Sequence, residues 1–119
     1  MRIFAKKSMT QFKSFSEFYP YYLMEHKEPL NRLFHYLGSL FVIVLFCMFL
    51  VSRLPIFLFL MPIVGYGFAW FGHFKVEKNR PATFQYPLYS LAADFVMLYH
   101  FFTFEIDKKI KEAEEKIGG

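Results

Sequence analysis

The sequence predicts an all-α integral membrane protein: a helical hairpin of two transmembrane spans, a third apolar helix and an N-terminal amphipathic interfacial helix. Two long uncharged apolar runs are separated by only a short turn. Apolar residues make up 55% of the 119 residues, and 18 of them are Phe. A soluble domain of this size has too little interior to bury so much aromatic surface, whereas a lipid-facing surface needs no burial. We therefore expect a single membrane domain over residues 1–119.

The N-terminal part begins with a basic tail, residues 1–10, and continues with aromatic residues at helical spacing from Phe12. This pattern predicts an amphipathic helix over about 12–26, lying in the membrane interface or packed on the other helices. Pro20 requires that the helix begin near Ser16 or kink. The stretch 26–31 is predicted to be a turn, with Asn31 as the N-cap of the next helix.

The two uncharged runs predict transmembrane helices over about 36–52 and 56–73, joined by a tight turn at 52–55. Residues 74–83 are polar. A third apolar run, 84–104, contains Asp94 and His100. Because an acid at the bilayer centre is costly, this helix either faces a protein interior while spanning or lies at a shallow angle. The charged tail 105–119 is expected to be solvated.

Charge placement predicts the orientation and excludes a class of partner. Basic residues precede the first span and follow the second, with only Arg53 between them, so the N-terminus and the 75–80 loop are expected on the cytoplasmic side. The net charge of +4 comes with no long Lys/Arg run or RNA-binding signature, and we expect no nucleic-acid partner. Cys47 is the only cysteine, so no intramolecular disulfide can form.

Three histidines are predicted to gather at one membrane face. His35 lies about 18 residues before the hairpin turn and His73 about 19 after it, so both lie roughly 28 Å from the turn at about 1.5 Å per residue. Antiparallel helices about 8–10 Å apart would let both imidazoles share one ion. The turn at Pro29 brings His26 to the same side. We expect a metal site formed by His26, His35 and His73.

Further polar residues accompany the histidines. Glu77 follows His73 by four residues and would share its helix face, so we expect it as the carboxylate ligand of the same metal. Asn31 stands in the same relation to His35. Imidazoles with a carboxylate suit iron, zinc or manganese, and these donor types alone do not select one of them. In the alternative interpretation, the histidines are interfacial residues bonded to lipid phosphates or backbone. Asp94 is either the partner of a ligating histidine or a buried acid between helices.

His100 is predicted to stay out of the metal site. If the third run spans the membrane, this residue lies roughly 24 Å from the other histidines.

Two blocks of this sequence resemble a known family. They read Tyr22-x3-His26-x4-Asn31-x3-His35-x2-Gly38 and Trp70-x-Gly72-His73-x3-Glu77-x-Asn79-Arg80-Pro81-Ala82-Thr83. Both blocks, and roughly residues 12–104 around them, resemble the 2-hydroxy-fatty-acid dioxygenase-like membrane family. After Ala82 the chain is similar to a short, mostly bacterial branch, whose substrate can differ.

The resemblance implies an iron(II)-dependent oxygenase that shortens a 2-hydroxy fatty acid by one carbon, using dioxygen and releasing the carboxyl carbon. It implies that His26, His35, His73 and Glu77 occupy the family's histidine and acidic positions. It also implies a location in the bacterial inner membrane or the endoplasmic reticulum, with the metal on the cytoplasmic face.

The predicted catalytic residues beside the metal are Glu77, Arg80 and Asn31. Arg80 and Lys78 would pair with the substrate carboxylate or, alternatively, anchor the chain to anionic lipid headgroups. Two other functions stay open: a non-catalytic membrane scaffold that binds lipid or a partner, and a zinc-dependent lipid hydrolase. An oligomer is compatible with all three.

Overall fold

The computed structural model describes residues 12–79 and 85–117, and within these ranges all regular structure is helical. The helices are α1 (Phe15–Met24), α2 (Pro29–Ser52), α3 (Ile56–Phe71), α4 (Pro87–Phe102) and α5 (Ile106–Ile117). Helix α3 continues directly into a π-helical segment, Gly72–Glu77.

Helices α2 and α3 form the predicted hairpin. Arg53 ends α2 in the left-handed conformation, with φ 63°, and its N–H donates to the carbonyl of Phe49. Helix α3 begins at Ile56, so the turn predicted at 52–55 is confirmed. Helix α2 begins earlier than predicted because Pro29 occupies its first helical position, where a missing N–H costs little. The prediction of Asn31 as the N-cap was wrong, since Glu28 precedes the helix.

The hairpin surface is apolar and largely uncovered. Pro29–Ser52 and Ile56–Glu77 are both long and apolar enough to cross a membrane. In the most apolar 18-residue stretch of each helix, only 22% and 17%, respectively, is buried inside the protein. A core helix of a soluble protein would be mostly covered, so these two helices are candidate membrane spans.

Helix α1 is packed inside the bundle. Ser14 caps it by accepting a hydrogen bond from the N–H of Glu17, and the helix runs through Pro20 from its start at Phe15. Phe18, Tyr22 and Leu23 are buried completely or nearly so, against α4 and α5. Of the two predicted positions for this helix, the structure supports packing on the other helices.

Helix α4 crosses the hairpin near the end that carries the histidines. Asp94 contacts His35, and the ring of Phe101 lies 4.5 Å from that of Tyr36 between centroids. His35 and Tyr36 are adjacent on α2, but their partners Asp94 and Phe101 are about two turns apart on α4. This pattern indicates a steep angle between the two helices. Helix α4 has 16 residues, about 24 Å at roughly 1.5 Å per residue, which is short for a span of the bilayer. This geometry favours the shallow-angle alternative for the third apolar run.

Helix α5 corrects the expectation of a wholly solvated tail. It buries Ile106 and Ala113 against the bundle that contains α1. Its charged residues occupy the opposite face, as in an amphipathic helix. An exposed ion pair between Lys27 and Glu114, 3.8 Å long, links it to the turn after α1.

Candidate metal centre

Three buried histidines from three different elements meet at one end of the hairpin. His26 lies in the turn after α1, His35 in the first two turns of α2, and His73 in the π-helical segment. One ring nitrogen of each lies within 4.8 Å of the others. Their exposed fractions are 0%, 4% and 1%, so the group is shielded from solvent. The structure therefore contains the predicted cluster of these three histidines.

The turn that carries His26 is held by a buried arginine. Arg32 Nη1 donates hydrogen bonds to the carbonyls of His26 (2.8 Å) and Lys27 (2.9 Å). These bonds tie the turn to the first turn of α2. In the sequence, Arg32 counted only as a basic residue before the first span. Its position inside the helix that Pro29 begins is the signal that could have revealed this role.

His26 and His35 are each anchored through Nδ1. The His26 Nδ1–H donates to the carbonyl of Tyr22 (2.6 Å), and the His35 Nδ1–H donates to Asp94 Oδ1 (3.0 Å). The Tyr22 hydroxyl also donates to Asp94 Oδ1, and its ring stacks on His26 with centroids 4.0 Å apart. Asp94 is therefore the partner of a clustered histidine. Tyr22 was present in the recognised motif, but no role had been predicted for it.

His73 is anchored in the same way by Asn79. Lys78 adopts a left-handed conformation, φ 60°, that turns the chain back, and the His73 Nδ1–H donates to Asn79 Oδ1 (2.6 Å). The Asn79 amide nitrogen donates to the carbonyl and the carboxylate of Glu25, which fixes the orientation of the amide. Burial, and then the nearby Glu77, raises the pKa of Glu25 to about 7.

In a neutral ring, each of these anchors would leave Nε2 free to accept, and so to bind a cation. A neutral imidazole that donates through Nδ1 can only accept through Nε2. Burial, together with His35 and His73, lowers the pKa of His26 well below its usual value, so His26 is neutral. The Nε2 atoms of His26 and His35 are 3.2 Å apart. If both rings are neutral and donate through Nδ1, two lone pairs face each other at this distance, and a cation bound between them would remove their repulsion.

Glu77 lies outside this group. Its carboxylate accepts hydrogen bonds from the Glu28 N–H (3.2 and 3.3 Å) and from Asn31 Nδ2 (3.0 Å). The predicted common face for His73 and Glu77 assumed an α-helix. The π-helical segment is wider, with i→i+5 hydrogen bonds, and it carries Glu77 toward the start of α2.

Asn31 and Gly72 form the contact between α2 and the π-helical segment. A Cβ added at Gly72 would overlap Asn31 Oδ1, so the close approach requires glycine. Asn31 is fully buried, and its side chain bonds Glu77. The structure thus places Asn31, predicted as catalytic, between the two helices that carry His35 and His73.

Of the remaining predicted residues, Lys78 and His100 are not part of the cluster. Arg80 lies outside the described residues, and Lys78 beside it is exposed. The Nδ1 of His100 lies 2.8 Å from the hydroxyl of Tyr19, in the contact between α4 and α1, which agrees with its exclusion from the metal site.

Comparison with known families gives a match over most of the chain. A protein-family model described as 2-hydroxy-palmitic acid dioxygenase Mpo1-like matches residues 12–106. No curated protein and no solved structure matches the chain. The matched range contains the three histidines and their anchors Tyr22, Asn79 and Asp94.

Proposed function

Because the chain belongs to the 2-hydroxy-palmitic acid dioxygenase Mpo1-like family, we propose that it is a membrane enzyme that uses iron(II) and dioxygen to shorten a 2-hydroxy fatty acid by one carbon. The observation that carries the proposal is the convergence of three buried histidines, His26, His35 and His73, with one ring nitrogen of each within 4.8 Å of the others.

The residues present fit an iron ion. Imidazole nitrogen suits iron, zinc, copper and nickel, and each ring is oriented through its other nitrogen, as is usual for metal-bound histidines. Iron bound here would supply the redox chemistry of dioxygen activation. Three histidines leave coordination positions free for a substrate carboxylate and 2-hydroxyl.

The side chains around the histidines have supporting roles in this proposal. Asp94 and Asn79 hold His35 and His73 in the tautomer that presents Nε2. Glu77 and Asn31 keep α2 beside the π-helical segment, and so fix the separation of His35 and His73. We propose Lys78 or Arg80 as the cation that pairs with the substrate carboxylate.

The uncovered apolar surface of the hairpin supports a position in the bilayer. We place α2 and α3 across the membrane, with the histidines near the headgroups of the cytoplasmic face. An amphiphilic substrate could then reach the metal while its acyl chain stays in an apolar environment.

Anaerobic purification, metal analysis and oxygen uptake test the proposal. We expect close to one iron per chain, and oxygen uptake that requires both iron and 2-hydroxypalmitate, with a product one carbon shorter. His35→Ala should lose iron and uptake, while His100→Ala should keep both, because His100 lies outside the cluster. Metal-free protein that binds lipid normally would contradict the proposal and favour a scaffold.

A zinc-dependent lipid hydrolase is the second candidate. The observation that favours it is the ligand set itself, since three histidines without a carboxylate also form catalytic zinc sites. Zinc in the purified protein, with ester hydrolysis that proceeds without oxygen, would support this candidate over the oxygenase.

A further inference from the structure

A groove of about 210 Å³ lies between α2, α3 and α4, directly beside the histidine cluster. His35 and Asp94 form part of its lining, so the groove touches one of the clustered histidines and its anchor. Most of the wall is apolar and comes from all three helices: Val42, Met61, Pro62, Leu91 and Phe95.

The polarity of the groove changes along its length. Its polar groups include His35, Asp94 and Ser39, which lie toward the beginning of α2. Val42 lies about two turns, or roughly 10 Å, beyond His35 along α2, and there Met61 and Pro62 complete an apolar wall. A ligand that fits this gradient has one polar end and one apolar chain.

The groove is open toward the uncovered side of the hairpin. Pro62 of α3 and Leu91 of α4 both line it and are exposed, so these residues belong both to the groove and to the outer apolar surface of the protein. With the hairpin in a bilayer, an acyl chain could enter sideways without crossing water. The groove is thus continuous with the surface that we place in lipid.

We infer that this groove holds the acyl chain of a single-chain amphiphile, with its polar end beside His35 and Asp94, and that Ser39 and Ala69 determine the space for the carbons nearest the head. Both residues line the groove and are buried, with exposed fractions of 6% and 5%. Larger side chains there would fill the groove next to the cluster. The inference rests on the proposed function for the identity of the polar end.

The only tryptophan of the chain provides a readout that does not depend on turnover. The ring of Trp70 stacks on that of Tyr66, with centroids 5.6 Å apart, and Tyr66 lines the groove. Bromine atoms on an acyl chain in the groove would lie near Trp70 and quench its fluorescence. The probe is a saturated fatty acid brominated at mid-chain, which lacks the 2-hydroxyl and is added anaerobically to the full chain in unbrominated lipid.

We expect saturable quenching that unbrominated 2-hydroxypalmitate reverses. Ala69→Phe and Ser39→Leu, on different helices, should each raise the half-saturating concentration at least tenfold. The matched control is Ile63→Phe, because Ile63 lies on α3, is 67% exposed and does not line the groove. Retained metal content would show that the variants are folded.

Quenching that rises linearly with the probe, or that Ala69→Phe and Ser39→Leu leave unchanged, would overturn the inference. The proposed function is tested separately. Saturable quenching without oxygen uptake would support the groove and contradict the oxygenase. Oxygen uptake, with quenching unchanged in both groove variants, would support the oxygenase and contradict the groove.

Discussion

The three histidines differ in the acceptor that holds Nδ1: a backbone carbonyl for His26, a carboxylate for His35 and an amide for His73. A carboxylate raises the basicity of the imidazole more than a neutral oxygen does. His35 should therefore be the strongest of the three donors, and its partner Asp94 should matter most for metal affinity.

Replacing Asp94 by Asn tests this ranking. An amide oxygen can still accept from the His35 Nδ1–H, but it carries no charge, and we expect metal affinity to fall about 10- to 100-fold. Competition with a chelator of known affinity measures the change. Asp107→Asn, at an exposed acid on α5, is the control and should leave affinity unchanged. Equal affinities for the two variants would contradict a role for Asp94 in metal binding.

The placement of Glu77 gives a second prediction. Because its carboxylate bonds Glu28 and Asn31, Glu77→Gln should keep the metal and lose about 1–3 kcal/mol of stability from weakened charged hydrogen bonds. Metal analysis and thermal unfolding in detergent measure the two effects. If the variant loses its metal while unfolding normally, Glu77 belongs in the ligand set after all.

Sequence reasoning identified the histidines, but it left the role of Asp94 open and assigned no anchor to His26 or His73. Depth along two antiparallel helices follows from counting residues, so His35 and His73 could be paired before the structure was known. Asp94 is 59 residues from His35, and no local period relates them. Asn79 reaches His73 only because Lys78 adopts a left-handed conformation, which is uncommon for a lysine.

Among the elements, the π-helical segment is the one that no sequence pattern indicated. The run 56–73 predicted a continuous α-helix, and the α-helical part ends at Phe71. The change coincides with the contact between Gly72 and Asn31 of α2, which no local sequence pattern reveals. The segment carries His73, in keeping with the frequent occurrence of π-helical turns at functional sites.

Two glycines of this helix allow a matched test of that contact. Gly72→Ala would force a Cβ onto Asn31, and we expect a loss of about 1–3 kcal/mol together with weaker metal binding. Gly67→Ala meets nothing within 4 Å and should be neutral or slightly stabilising. Thermal unfolding and metal content compare the two variants. Equal behaviour would show that the close approach at Gly72 is not needed.

The hairpin of α2 and α3 could be predicted from the sequence more fully than the direction of α4. Two uncharged runs around a short turn specify the α2–α3 hairpin by length alone. The direction of α4 depends on which side chains of α2 it meets, and composition carries no such information. Asp94 left two alternatives open for this helix, and only its contacts with His35 and Tyr36 favour the one at a shallow angle to the membrane.

For the whole molecule, the proposal that α2 and α3 span the membrane while α4 crosses them would place both ends of the described chain on one side of the membrane. In a Cys47→Ser background, Lys27→Cys and Lys111→Cys should react with an impermeant maleimide from the same side. Arg53→Cys, in the hairpin turn, should react from the opposite side. Labelling of position 111 together with position 53 would mean that α4 spans the bilayer.

The three histidines lie on three elements, the turn after α1, helix α2 and the π-helical segment, and His73 is 38 residues beyond His35 along the chain. An ion bound by all three would cross-link these elements, and binding energy gained only by the folded chain adds to its stability. In a cell, the lifetime of such a protein would then follow the supply of the metal. Scarcity would lower the amount of protein through proteolysis, in addition to leaving individual molecules inactive.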